Sequence, residues 1–273
     1  MKLGYVCTNY NNSSFTCAAI LSLAKNTPHQ FHIVVVDNNS DGTSVAQLEK
    51  CASEHSNVEL VLNTENLGYF RGLNVGITRL REAHCDVEAI VIGNNDLVFP
   101  SDFGDSILRN EDKLRLYAVI SPNIITLDGV HQNPHVVHKI SKLREVVYDL
   151  YYTNYYLAMI IRKLAKLTAQ FTDRDDENQH DVAQPIYQGH GACYILSPVF
   201  FEHFTGLWAP TFLMGEEYFL SKQLEDKGMR KFYEPSIMVQ HHCHAAIDRI
   251  PSRKIWEISR NAHVLYRKHV RVF

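Results

Sequence analysis

An α/β fold built on an open parallel sheet is predicted by three features of this 273-residue sequence. Apolar, β-branched runs alternate with stretches of helical apolar spacing through residues 1–100. Each run stops at a turn rich in Asn, Asp or Gly. Two of those stops, Asp37 and Asp96, bring a carboxylate to the end of a strand. Alternating strands and helices imply parallel pairing with helices on both faces of the sheet.

The elements follow in order. Leu3–Cys7 is the first strand, an apolar run too short for a signal-peptide core. Phe15–Lys25 places Cys17, Ile20, Leu21 and Leu23 at helical spacing. Phe31–Val36 is β-branched and reads as a buried strand, closed by the turn DNNSDGT, whose residue types also cap helices. Ser44–Ala52 is the next helix, Val58–Leu62 the third strand, Tyr69–Glu82 a helix and Val87–Ile92 the fourth strand. The chain then changes character. Lys139–Lys166 is aromatic and basic, with Tyr148, Tyr152, Tyr155 and Met159 on one face of a helix. Thr172–Asp181 is acidic, lacks apolar periodicity and reads as a mobile loop. Tyr194–Leu196 returns to strand, Tyr218–Asp226 to helix, and a polar helix near Trp256–His269 closes the chain. There is no internal repeat.

Composition narrows the function classes. Hydrophobic residues make up 45% and charged residues 21%, as in an ordinary soluble globular protein. A net charge of -3 excludes a general nucleic-acid binder, which would be basic. No apolar run is long enough to span a membrane. Cys7, Cys17, Cys51, Cys85, Cys193 and Cys243 show no paired spacing, which suits free thiols in a reducing cytosol.

The chemistry concentrates at the strand ends. In VIGNNDLVFP a buried strand runs into Gly93, Asn94, Asn95 and Asp96. A carboxylate there enters the crevice where open α/β sheets bind ligands, and it is the type of ligand a hard divalent cation needs. The same three residues also make a plain turn. Asp37 ends the second strand, either receiving a base or ribose or capping the next helix. In NLGYFRGLNVG, Gly68 allows close backbone approach, and Arg71 either pairs with phosphate or lies in solvent. Dinucleotide and P-loop glycine fingerprints are absent. Glu216 and Glu217 open a helix, where its dipole favours acids; in a cleft, one of them can take a proton from a hydroxyl. His241-His242-Cys243-His244 lacks the second paired motif of a closed zinc site. The sharper expectation is that His241 joins Asp96 on a cation, with His242 and His244 at the surface or in the core.

In this order, VCTNYNN, VVVDNNSDGT, NTENLGYFRGLNVG, IGNNDLVFP, GHGACYILSPVFFEHFTGLW, GEEYFLSKQLEDKG and EPSIMVQHHCH resemble family 2 inverting glycosyltransferases. The likeness is to bacterial rhamnosyl- and related transferases of surface polysaccharide synthesis. It covers most of the chain and is weakest over Asp102–Ala183. It implies the GT-A fold: a Rossmann-like nucleotide-sugar-binding half at 1–100, then an acceptor-binding half at 101–273 with an insert at about 135–185, around a mixed, mostly parallel sheet. It implies that Thr8, Asn9 and Asp37 line the nucleotide pocket, Asp37 on the base, with Asn66 and Arg71 near ribose and diphosphate. Asn94-Asn95-Asp96 stands where the family has its DxD motif, so Asn95 and Asp96 fall at the cofactor and Asp96 is the metal carboxylate. Glu217 takes the place of the family's catalytic base, with Glu216 before it. His241, six residues after Pro235, takes the place of a metal- or diphosphate-contacting His. Arg260-Asn261 matches a frequent pair.

Two departures stand out: the DxD motif keeps only its last carboxylate, and the base is Glu rather than Asp. The implied cofactor is Mg²⁺ or Mn²⁺, and the implied reaction is hexosyl or deoxyhexosyl transfer. The partners are a nucleotide-sugar donor and a glycan or lipid-linked acceptor, with the enzyme in the cytoplasm at the inner face of the cell membrane. A basic, aromatic helix at 139–166 suits peripheral membrane contact as well as packing on the core. Two other classes compete. A sugar-nucleotide nucleotidyltransferase would need a basic, Gly-rich loop where this chain has TNYNNSS. A non-catalytic nucleotide-sugar-binding module would not need both Asp96 and the Glu216-Glu217 pair.

Overall fold

Four parallel strands carry the amino-terminal half: β1 (Lys2–Asn9), β2 (Phe31–Asp37), β3 (Val58–Leu62) and β4 (Val87–Gly93). The connecting helices are α1 (Ser13–Ala24), α2 (Gly42–Ser53) and α3 (Tyr69–Ala83). These are the elements expected from periodicity, with no end moved by more than two residues. In this computed structural model, residues 1–26, 31–138, 141–172, 179–242 and 252–271 are described, with 166–172 as backbone.

Beyond β4 the chain builds β5 (Leu97–Val98), α4 (Phe103–Arg109), α5 (Glu111–Leu114) and β6 (Val119–Thr126). It continues through α6 (Lys142–Thr153), α7 (Tyr155–Thr172), β7 (Gln184–Ile186), β8 (Cys193–Leu196) and α8 (Pro198–His203). The last elements are α9 (Glu216–Glu225), β9 (Lys231–His241) and α10 (Ser252–His269). Among the described residues the sheet order is β3-β2-β1-β4-β8-β6-β9-β5, with β7 on β9. Strand β8 runs antiparallel between β4 and β6, while β6 and β9 are parallel, so the sheet is mixed.

Side-chain alternation sorts the core onto two faces of this sheet. Tyr5, Cys7, Ile33 and Val35 join Ile20, Leu23 and Leu48 of α1 and α2 on one face. Val6, Val34 and Val36 join Phe70, Leu73, Ile77 and Leu80 of α3 on the other, with Phe200 and Leu220. Burial on both faces explains why these strands are continuously apolar. Each such aliphatic side chain contributes roughly 1.5–3 kcal/mol by leaving water.

Two expectations are corrected. The segment 139–166 is two helices, broken at Asn154, whose backbone is extended. Of the two readings of its tyrosine face, packing on the protein is the one found: Tyr152 stacks on His263 of α10 at 4.5 Å, and Tyr155 meets Trp256 edge-on at 5.7 Å. The helix after β2 is capped by Asp41, whose carboxylate accepts from Ser44 N at 2.9 Å, and not by Asp37. Lys139, Cys243, His244 and most of the acidic loop lie outside the described residues, as does the Lys166 side chain. The other five cysteines are free. No helix among the described residues is long and apolar enough to cross a membrane.

Candidate active site

Strand pairing aligns the ends of β1, β2 and β3, with Asn9 opposite Asp37 and Asp37 opposite Leu62. Beneath that edge lies a closed polar network. Asn9 donates to Asp37 Oδ1 at 2.8 Å and accepts from Thr16 Oγ1 at 2.8 Å. Asp37 also accepts from Ser40 Oγ at 2.6 Å and Ser40 N at 2.8 Å. Asn95 Nδ2 donates to Thr16 Oγ1 at 2.8 Å and to Asn9 Oδ1 at 3.3 Å. All three are buried, Asp37 being 1% exposed, so Asn9, Asp37 and Asn95 shape the crevice floor from below. Half-buried Thr8 lies beside the start of α3, where a Cβ on Gly72 would meet its methyl at 2.7 Å.

Residues of the NND turn face alternate ways. While Asn95 turns toward α1, Asn94 and Asp96 turn toward the end of β9. The β5–β9 pairing sets Leu97 opposite His241, and His242 N donates to Asp96 O at 2.9 Å. This brings His241 Nε2 to 3.2 Å from Asp96 Oδ1, both side chains being nearly closed to solvent. Asn94 Nδ2 lies 3.3 Å from the same Nε2. On the other side of the ring, Nδ1 meets Gln132 Oε1 at 2.7 Å. An amide oxygen only accepts, so Nδ1 carries a proton. Nε2 and Asp96 Oδ1 at that distance need a proton or a cation between them. The pair therefore fits a divalent ion held by one carboxylate and one imidazole.

A third wall comes from the loop before β8. Asn94 N donates to Ala192 O at 2.9 Å, and Tyr69 OH to Gly191 O at 2.9 Å. Glu217 reaches this loop, since a Cβ on Gly191 would stand 2.6 Å from Glu217 Oε1. The carboxylate of Glu217 thus packs against Gly191, the residue next to Ala192, the partner of Asn94. The Tyr69 phenol is held well above its ordinary pKa, first by burial and then by its acidic neighbours Glu216, Cys193, Glu217 and Asp96. The acidic groups from both halves of the chain converge on this one ring.

Left-handed backbone at Met214 (φ 72°) and Gly215 (φ 78°) turns the chain into α9. The two glutamates that follow occupy different surroundings. Glu216 is buried, its Oε1 has no hydrogen-bond partner among the described residues, and burial followed by the charge of Glu217 pushes its carboxyl up to about 8. It is therefore protonated at neutral pH. Glu217 is half-buried at the crevice edge.

The nucleotide-side loop is tied together tightly. Asn66 Oδ1 accepts from Gly68 N at 2.9 Å, and Asn38 Nδ2 donates to Gly68 O at 2.9 Å. Gly68 has φ 83°, and a Cβ on it would lie 1.9 Å from Phe212 O. The guanidinium of Arg71 donates to Ala209 O at 3.0 Å and Pro210 O at 3.2 Å, fastening α3 to the loop before α9. Both sequence alternatives for Arg71, phosphate contact and free exposure, gain a third: it ties α3 to the loop before α9.

Sequence reasoning missed several residues. Gln132 orients His241, and His190 meets His241 edge-on at 5.9 Å. Asn12 is buried, and among the described residues neither of its side-chain polar atoms has a hydrogen-bond partner. A buried amide without partners costs on the order of 1–3 kcal/mol, the mark of a group kept for something other than stability.

A family model for Glycosyl transferase family 2 matches residues 6–167. The chain belongs to that family. Its fold recurs in solved structures of low sequence identity. The mannosyltransferase PcManGT of Pyrobaculum calidifontis, solved with GDP-Man and Mn²⁺, aligns at TM-score 0.57 and 15% identity over 97% of this chain and 62% of its own. GalNAc-T7, solved with UDP, GalNAc and Mn²⁺, gives 0.57 and 13% over 88% and 44%. S. aureus TarS, residues 1–349, gives 0.55 and 12% over 88% and 60%. The family 2 chain thus spans less than two thirds of each of these relatives and shares with them the GT-A arrangement of a mixed α/β sheet. No curated protein sequence matches it.

Proposed function

We propose that this family 2 chain is an inverting glycosyltransferase. It moves a hexosyl or deoxyhexosyl group from a nucleotide sugar to a hydroxyl of a glycan or lipid-linked acceptor, in bacterial surface polysaccharide synthesis at the cytoplasmic membrane face. The observation that carries this reading is the convergence of Asp96, His241 and Glu217 around Gly191 and Tyr69.

The chemistry follows from the needs of the transition state. The sugar leaves its diphosphate through an oxocarbenium-like state, and one displacement from the opposite face inverts the anomeric centre. Asp96 and His241 would hold Mg²⁺ or Mn²⁺, which when bound offsets charge on the departing diphosphate; an imidazole in the set favours Mn²⁺. Glu217, at the crevice edge, accepts the proton of the attacking hydroxyl. Glu216, neutral and behind it, keeps a second negative charge out of the site. Thr8, Asn12, Asn66 and Arg71 line the donor side, with Asn9, Asp37 and Asn95 fixing that wall from below. The aligned strand ends and the Gly68 turn supply the concave floor for the nucleotide.

Donor hydrolysis and transfer measured across a panel of nucleotide sugars with Mn²⁺ test the proposal. Turnover of one donor, lost in Glu217→Gln, is the expected result. Nucleotide-sugar binding with no turnover for any donor or acceptor would instead make the chain a binding module. Formation of a nucleotide sugar from a nucleoside triphosphate would make it a nucleotidyltransferase.

A further inference from the structure

The helical hairpin α6–α7 buries one face and leaves another in water. Its inner face packs on α10. Tyr152 and Asp149 meet His263, Asp149 also pairs with Arg267 and Arg271, and buried Glu145 accepts from Tyr266 OH. Its outer face carries an aliphatic row, Leu143, Val146, Val147 and Leu150, at the spacing of one helix side; Leu143 is 76% exposed. On α7, Tyr156, Ile160 and Leu164 repeat at four-residue spacing, with Tyr156 70% exposed. Seven large apolar side chains in water on two packed helices exceed the scattered exposure of an ordinary surface.

The charges of the hairpin are sorted in the same way. Its two acids, Glu145 and Asp149, are engaged inward by α10. Lys142, Arg162 and Lys163 are exposed, and Arg144 is half-buried. The outward charge over 142–165 is therefore positive throughout. A second copy docked on this face by a two-fold axis would oppose like charges. An anionic lipid surface answers both features, apolar residues entering the headgroup boundary and cations meeting phosphates.

We propose that the outer face of α6–α7 is a docking surface for an anionic membrane. The surface is the aliphatic row and its flanking cations; the tyrosines that the sequence suggested are turned inward. Docking there sets the candidate site beside the bilayer. Tyr218, next to Glu217, packs on Tyr266 of α10 at 4.7 Å, and Tyr266 bonds Glu145 of α6. The inference rests on the transferase reading only for its purpose, the presentation of a lipid-linked acceptor to Glu217.

Flotation of the full chain with phosphatidylglycerol-containing vesicles, against neutral phosphatidylcholine vesicles, tests it. Binding is expected to the anionic vesicles alone and to weaken with salt. Arg162→Gln with Lys163→Gln should lower the partition coefficient about 30-fold, from about fivefold per cation. Leu143→Ser with Leu150→Ser should lower it as well, while nucleotide binding with Mn²⁺ stays unchanged. No flotation of the native chain at low salt would overturn the proposal. So would light scattering that shows a dimer dissociated by Leu143→Ser with Leu150→Ser, since the face would then be covered by a second copy. Vesicle binding with no nucleotide binding would sink the transferase reading and leave the docking surface standing.

Discussion

Adjacent residues on one turn or helix start do different work, and sequence types alone do not say which does what. Asn94, Asn95 and Asp96 look equivalent in sequence, yet Asn95 is spent on Thr16 and Asn9 while its neighbours face His241. Asp96 and His241 were legible because each ends a strand. Gln132, His190 and Asn12 were not, because they come from segments with no motif and acquire meaning only when the chain folds back. The glutamate pair divides likewise. Glu217→Gln is expected to lower turnover at least about 100-fold, with donor affinity changed little, because a base acts in the transition state. Glu216→Gln should keep most activity; steady-state kinetics on both variants decides, and a dead Glu216→Gln beside an active Glu217→Gln would reverse the assignment. Glu216 also marks stability. Its carboxyl titrates near 4.5 unfolded and about 8 folded, so the folded state holds the proton longer. The cost is absent below the lower value, grows as pH rises through that window and is complete above it. Thermal melts should therefore show Glu216→Gln gaining on the native protein from pH 5 to pH 8, within the window those values define.

At the scale of elements, periodicity placed the strands and helices of the first half well, because strands buried on both faces must be apolar and turns need Gly, Asn and Asp. It failed at 139–166. Helical spacing continues through Asn154 in sequence, but the extended backbone of that residue makes two helices, and packing on α10 decided which face is inner. The Gly68 turn shows how an element boundary sets a site. Its left-handed backbone and the 1.9 Å approach of a Cβ to Phe212 O leave no room for a side chain. Gly68→Ala should destabilise the fold by about 3 kcal/mol, combining backbone strain with displacement of the loop before α9. Denaturant melts give the stability change. Nucleotide affinity should fall in the surviving folded protein, since that turn holds the start of α3 over the crevice. A variant with native stability and affinity would show that the Phe212 loop is free to move away.

For the whole molecule, the sheet is one body whose site is assembled from both ends of the sequence. Asp96 comes from the strand end after β4, His241 from the end of β9, and the short β5–β9 pairing holds them together. Sequence order separates them by 145 residues, so no local spacing joins them; ligand chemistry and the family likeness suggested the pair, and the fold brings it together. This architecture predicts linkage between ligand and global stability. A cation bound by both side chains ties the parallel half of the sheet to its last strand, and the diphosphate adds further ligands to the cation. A ligand at 100 times its dissociation constant stabilises by about 2.7 kcal/mol if it binds the folded state alone. Mn²⁺ and the correct nucleoside diphosphate together should therefore raise the melting temperature by more than the sum of their separate effects, and chelation should abolish the excess. Asp96→Ala and His241→Ala should each remove that excess while leaving the melt in chelator within a few degrees of native, apart from the lost contact between the two side chains. An undiminished joint shift in Asp96→Ala would place the cation elsewhere, and a shift lost in Asp96→Ala but kept in His241→Ala would leave the carboxylate as the ligand and return the imidazole to a structural role.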